Sequence, residues 1–131
     1  MPKPVPPPIS EAESRVMEIL WRSGPQGSED LASALHPDTG WHENTVRTLL
    51  NRLVRKGAVR AEREGRRYLY SPVLTREQWQ ALESRSLLDR VFGGKVAPLL
   101  VHFSRTEKLS AKDVAELRKL VDQLEKKGAP P

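Results

Sequence analysis

The stretch Asn44-Thr45-Val46-Arg47-Thr48-Leu49-Leu50-Asn51-Arg52-Leu53-Val54-Arg55-Lys56-Gly57 constrains the fold more than any other. Val46, Leu49, Leu50 and Leu53 recur at helical spacing and form one apolar stripe. Asn44, Thr45, Arg47, Thr48, Asn51, Arg52 and Arg55 fall off that stripe. Gly57 stands where a helix end favours a left-handed residue, and Arg55 and Lys56 suit the negative end of the helix dipole. The spacing therefore predicts one amphipathic helix over 43–56 with a defined stop. Two strand-like runs follow, Ala58 to Arg63 and Arg67 to Val73, with a turn signal at Glu64-Gly65. A helix that opens Arg, Thr and Asn to one side, followed by a basic hairpin over 58–73, is the layout of a winged-helix DNA reader. The plainer reading is a surface helix with a solvated charged face.

Charge distribution separates the two. From His42 to Tyr70 there are eight basic residues (Arg47, Arg52, Arg55, Lys56, Arg60, Arg63, Arg66 and Arg67) against Glu43, Glu62 and Glu64. That surplus of five equals the net charge of the whole chain, so the remainder balances. A surplus gathered on one helix and its hairpin is the footprint of a polyanionic partner. Arg66 and Arg67 are placed near the hairpin tip, in reach of a phosphate or the minor groove.

The flanking segments fit the same frame. Ser10 and Glu13 form a capping box before a helix carrying Ala12, Val16, Ile19 and Leu20, with Met17 and Trp21 beside them, and Ser23-Gly24-Pro25 stops it. Ser28 is expected to cap a second helix with Leu31, Ala32, Ala34 and Leu35 facing inward, ended by His36-Pro37. His42 takes the N-cap position of the third. Beyond Pro72 the composition changes. Thr75 and Gln78 make another capping box before Trp79, Leu82, Leu87, Leu88, Val91 and Phe92, and Gly93-Gly94 stops that helix. A short apolar helix holds Val96, Leu99, Leu100, Val101 and Phe103. A last one starts at Ser110, with Val114, Leu117, Val121 and Leu124 spaced as an a/d seam and Leu120 beside it. Helices this short and apolar suit a self-complementary dimer, through Leu87, Leu88, Val91, Phe92, Leu117, Leu120, Val121 and Leu124.

The fold class that follows is mainly α with a small β wing. A winged helix-turn-helix domain is expected over 9–73 and a three-helix dimerisation domain over 74–127. A Pro-rich disordered tail is expected over 1–8 and a short tail over 128–131. The chain has no cysteine, which excludes disulfides and thiolate chemistry and fits a reducing, cytoplasmic setting. No apolar run approaches the roughly 20 residues of a membrane span. His36, His42 and His102 offer no partner set for hydrolysis, so no enzyme activity, cofactor or metal is expected.

These residues carry a resemblance. Ile9-Ser10-Glu11-Ala12-Glu13 through Ile19-Leu20-Trp21, Thr45 to Leu53, Lys56-Gly57, Gly65-Arg66-Arg67-Tyr68-Leu69-Tyr70-Ser71-Pro72 and Leu87 to Gly94 resemble the BlaI/MecI (penicillinase repressor) family. The resemblance implies a homodimeric repressor on an inverted-repeat DNA operator in a β-lactam-response or similar stress operon. It also implies a membrane-bound sensor protease that cuts the dimerisation domain, at the position corresponding to His102-Phe103. Family members cut this way carry Asn-Phe there. The copper-responsive relatives carry a C-terminal cysteine cluster that this chain lacks. Two other readings suit the same basic helix: a small-molecule-sensing winged helix of the MarR or ArsR kind, and a sequence-neutral DNA binder.

Overall fold

The structure is a computed structural model and describes residues 7–106 and 109–128. The tail readings at 1–6 and 129–131 lie outside those residues. Three helices come first: α1 (Glu11–Ser23), α2 (Ser28–Thr39) and α3 (Glu43–Arg55). The hairpin β1 (Val59–Glu64) and β2 (Arg67–Pro72) follows, then α4 (Arg76–Val91), α5 (Val96–Thr106) and α6 (Ala111–Lys126). The chain packs as two units, one ending at Ser84 and one beginning at Arg85.

In the first unit the apolar stripes of α1, α2 and α3 meet. Val16, Met17 and Leu20 of α1 are fully buried with Leu31 of α2 and Val46, Leu50 and Leu53 of α3. Ala58, Val59 and Tyr70 of the hairpin close the cluster. The strands pair antiparallel from Val59 opposite Pro72 to Glu64 opposite Arg67. Gly65, with φ 64°, opens the two-residue turn that joins them. Gln26 makes a further bridge, exchanging both backbone hydrogen bonds with Tyr70 at 3.1 and 2.9 Å. The α1–α2 connection thus pairs with β2, where the sequence showed no strand.

The capping boxes Ser10/Glu13, Thr75/Gln78 and Ser110/Asp113 all form. Gly57, at φ 79°, follows the last turn of α3 as expected. Three local expectations need correction. Gly27, not Ser28, is the N-cap of α2: Gly27 has the extended backbone of a cap, Ser28 is already helical, and its hydroxyl donates to Glu43. The helix runs past Pro37 to Thr39. The Thr39 hydroxyl donates to the Leu35 carbonyl at 2.8 Å and the Gly40 amide to that of His36 at 2.8 Å, which holds the turn although Pro37 lacks an N–H. Ala34 is exposed. The turn residues are Gly65 and Arg66, and Arg67, the first residue of β2, stands next to them, near the tip as expected.

The break in packing also falls later than the break in composition. Trp79 and Leu82 rest against the winged core. Trp21 and Trp79 have ring centroids 5.4 Å apart, and the Trp21 indole N–H donates to the Leu74 carbonyl at 2.8 Å. The beginning of α4 is therefore part of the first unit.

In the second unit Gly94 donates its amide to the Leu88 carbonyl at 2.7 Å, which closes the end of α4. Leu88 is buried by its own chain. Val91, Val101, Phe103, Val114, Leu120, Val121 and Leu124 stand exposed. Among the described residues, no helix is long and apolar enough to cross a membrane.

Candidate nucleic-acid interface

Helix α3 has two unlike faces because its sequence does. Val46, Leu49, Leu50 and Leu53 are buried, and Asn44, Thr45, Arg47, Thr48, Asn51 and Arg52 on the other side are all exposed. The polar face is continuous along the helix, since these positions follow one another at helical spacing. The Thr48 hydroxyl donates back to the Asn44 carbonyl at 3.0 Å.

The two ends of α3 are fixed by different means. His42 caps the start through its backbone alone, accepting from Thr45 and Val46 at 3.1 and 3.2 Å. At the other end the Lys56 ammonium lies 2.5 Å from the Glu13 carboxylate and 2.9 Å from the Pro8 carbonyl. Glu13 is 1% exposed and also accepts the Ser10 amide at 2.8 Å. Burial alone raises its carboxyl. The Lys56 ammonium and the Ser10 amide and side chain together outweigh that and hold it below the ordinary value. Residues far apart in sequence are thereby clamped, which ties the end of α3 to the start of α1. From the sequence, Glu13 is legible only as a capping partner.

Arg47 does not stand free. Its Nη2 donates to Glu43 Oε1 at 2.7 Å, and its Nε lies 3.5 Å from the Ser28 hydroxyl, which itself donates to Glu43 Oε1 at 3.1 Å. Glu43 and Ser28 were both missed as parts of the site. The Glu43/Arg47 spacing of four residues was the available signal.

On the wing, Arg66 sits in the exposed turn. Arg67 is set back, with Nη1 4.0 Å from Asp30 on α2. Exposed Arg60 pairs with Glu62 at 3.0 Å. Tyr68 is exposed and Tyr70 buried, so one of the two tyrosines serves packing. His36 and His42 face each other across the α2–α3 turn, ring centroids 5.4 Å apart.

A polar, basic face on a helix held by three buried stripes, with a basic hairpin beside it, is geometry that known proteins share. The profile of the penicillinase repressor family matches residues 9–123. The chain belongs to the penicillinase repressor family. That family is one of DNA-binding transcriptional repressors and not of enzymes. The penicillinase repressor of Bacillus licheniformis is 28% identical over 117 residues, spanning 89% of this chain and 91% of the relative. An uncharacterised 16.5 kDa protein in the ptsI 3′ region of Latilactobacillus sakei is 33% identical over 113 residues, 86% of this chain and 77% of that protein. Among solved structures, the DNA-binding domain of the repressor BlaI is similar with a TM-score of 0.51 and 31% identity. That likeness covers 59% of this chain and 93% of the BlaI domain. The winged-helix expectation thus holds.

Proposed function

We propose that this penicillinase repressor family member acts as a cytoplasmic homodimer on an inverted-repeat operator. Each copy sets α3 into the major groove, and the wing lies along the backbone. The observation that carries the reading is the exposed face of Asn44, Thr45, Arg47, Thr48, Asn51 and Arg52 opposite a fully buried stripe. Arg pairs bidentately with guanine, Asn with adenine, and the Thr methyl meets that of thymine. Arg66 supplies a phosphate or minor-groove contact from the turn. Arg67, drawn toward Asp30, supplies a weaker one.

Self-association is supported by the apolar surface of the second unit. Leu100, Val101, Leu109, Val114, Leu117 and Val121 line an open groove between α5 and α6. Leu120 and Leu124 stand exposed alongside Val121 on α6. A second copy covers this surface, and Leu87 and Val91 of α4, with Phe92 just after that helix, take part in the pairing. Pairing two winged units on one duplex raises the effective concentration of the second at its half-site. Release follows when the pairing is lost. Cutting at His102-Phe103 by a membrane-bound sensor protease removes α6. That bond lies inside α5, whose turn is tied by the Thr106 hydroxyl to the His102 carbonyl at 2.9 Å, so cutting requires local unwinding of the helix.

The test is selection of duplexes from a random pool by the intact chain. The reading expects enrichment of an inverted repeat with half-site centres about 34 Å apart or a multiple of that. Recovery of no enriched sequence sinks it in favour of sequence-neutral binding.

A further inference from the structure

Arg47 meets any DNA already paired. Glu43 Oε1 takes Nη2 at 2.7 Å and the Ser28 hydroxyl stands 3.5 Å from Nε. Nε and Nη2 share one side edge of the guanidinium, so these contacts engage that edge. The terminal edge, built from Nη1 and the outer N–H of Nη2, is a second pair of parallel donors. Such a pair matches the O6 and N7 acceptors of guanine. Ser28 donates to the same Glu43 oxygen at 3.1 Å, which ties the first residue of α2 to the first of α3.

We propose that Glu43, steadied by Ser28, is a specificity-determining residue: it aims the terminal edge of Arg47 and offsets its charge. The proposal rests on the reading of α3 as the groove-facing helix. A phosphate offers charge without a paired acceptor geometry, and Arg47 beside Glu43 presents little net charge to it. A guanine offers two aligned acceptors that the aimed edge meets while the Glu43 contact stays in place. Glu43 therefore weakens binding to every duplex and weakens it least at the right base. The ratio of specific to non-specific affinity rises as a result.

The experiment uses the intact chain, a duplex that the chain itself has selected, and a scrambled duplex of the same length and composition. Fluorescence anisotropy across a salt series is read for wild type, Glu43→Gln, Arg47→Ala and the double variant. Glu43→Gln should tighten binding to the scrambled duplex and steepen its salt slope by about one. The affinity ratio should fall roughly fivefold, the upper end for an exposed ion pair. With Arg47→Ala already present, Glu43→Gln should leave the ratio unchanged. Ser28→Ala should lower the ratio by less and leave the slope alone. If Glu43→Gln tightens both duplexes equally, or lowers the ratio just as far without Arg47, Glu43 is a surface charge and the proposal is wrong. If Arg47→Ala weakens both duplexes equally, the groove-facing assignment of Arg47 fails and takes the proposal with it, and this variant tells the two failures apart.

Discussion

Lys56→Ala tests the clamp that ties the end of α3 to the start of α1. The substitution removes the ammonium that faces Glu13, a carboxylate only 1% exposed. Glu13 then keeps the Ser10 amide at 2.8 Å but loses its countercharge, and its second oxygen has no partner among the described residues to begin with. Removing one member of a buried pair costs about 3–5 kcal/mol. The Lys56 side chain is 26% exposed, which points to the lower end, about 3 kcal/mol. Removing both charges with Glu13→Gln and Lys56→Met should recover most of that loss, since glutamine can still complete the capping box with Ser10. The assay is urea unfolding followed by circular dichroism. A loss below about 1 kcal/mol for Lys56→Ala is the behaviour of an exposed pair and would refute the clamp.

Acid should act on the same pair. The Glu13 carboxyl is held below its ordinary 4.5 in the folded chain, so as pH falls the unfolded chain takes up the proton first. Its contribution is complete above that value and is lost as pH falls through the folded value; Glu13→Gln should remove this part of the acid sensitivity. Arg47→Ala should cost about 1–3 kcal/mol on a selected duplex and much less on random DNA, read by anisotropy. Replacing Arg66 and Arg67 with Gln should weaken all duplexes alike and flatten the salt slope by up to about two units. Arg66→Gln alone should give the larger share, because Arg67 is drawn toward Asp30. Leu50→Ala, at a fully buried site, should cost about 2–5 kcal/mol of stability, seen as a lower urea midpoint.

Much of the geometry of the candidate interface was legible because it depends on local rules. The stripe Val46/Leu49/Leu50/Leu53 fixed which face of α3 is buried, and so which face is open. Gly57 and Gly65 marked backbone positions that need a positive φ. What escaped was non-local or shared. Lys56 and Glu13 meet only because α1 and α3 pack together, and no spacing announces that. Gln26 pairs with Tyr70 through backbone groups that any residue possesses. Ser28 looked like a cap by type, but the helix already includes it after an extended Gly27, and its hydroxyl donates to Glu43. Pro37 looked like a stop, yet Thr39 and Gly40 hold the final turn beyond it. The change of composition at Pro72 suggested a boundary, whereas Trp79 and Leu82 reach back to the winged core.

In the proposed function two copies, one per half-site, read one duplex. Sedimentation of the intact chain with its selected duplex tests this most directly, with the Leu117→Glu/Leu124→Glu variant run beside it. Two chains per duplex are expected for the intact protein. The variant should run as a monomer that keeps its helical circular dichroism and binds the same duplex far more weakly, because buried unpaired carboxylates break the pairing. One chain per duplex for the intact protein, or a monomeric variant with undiminished affinity, would contradict it.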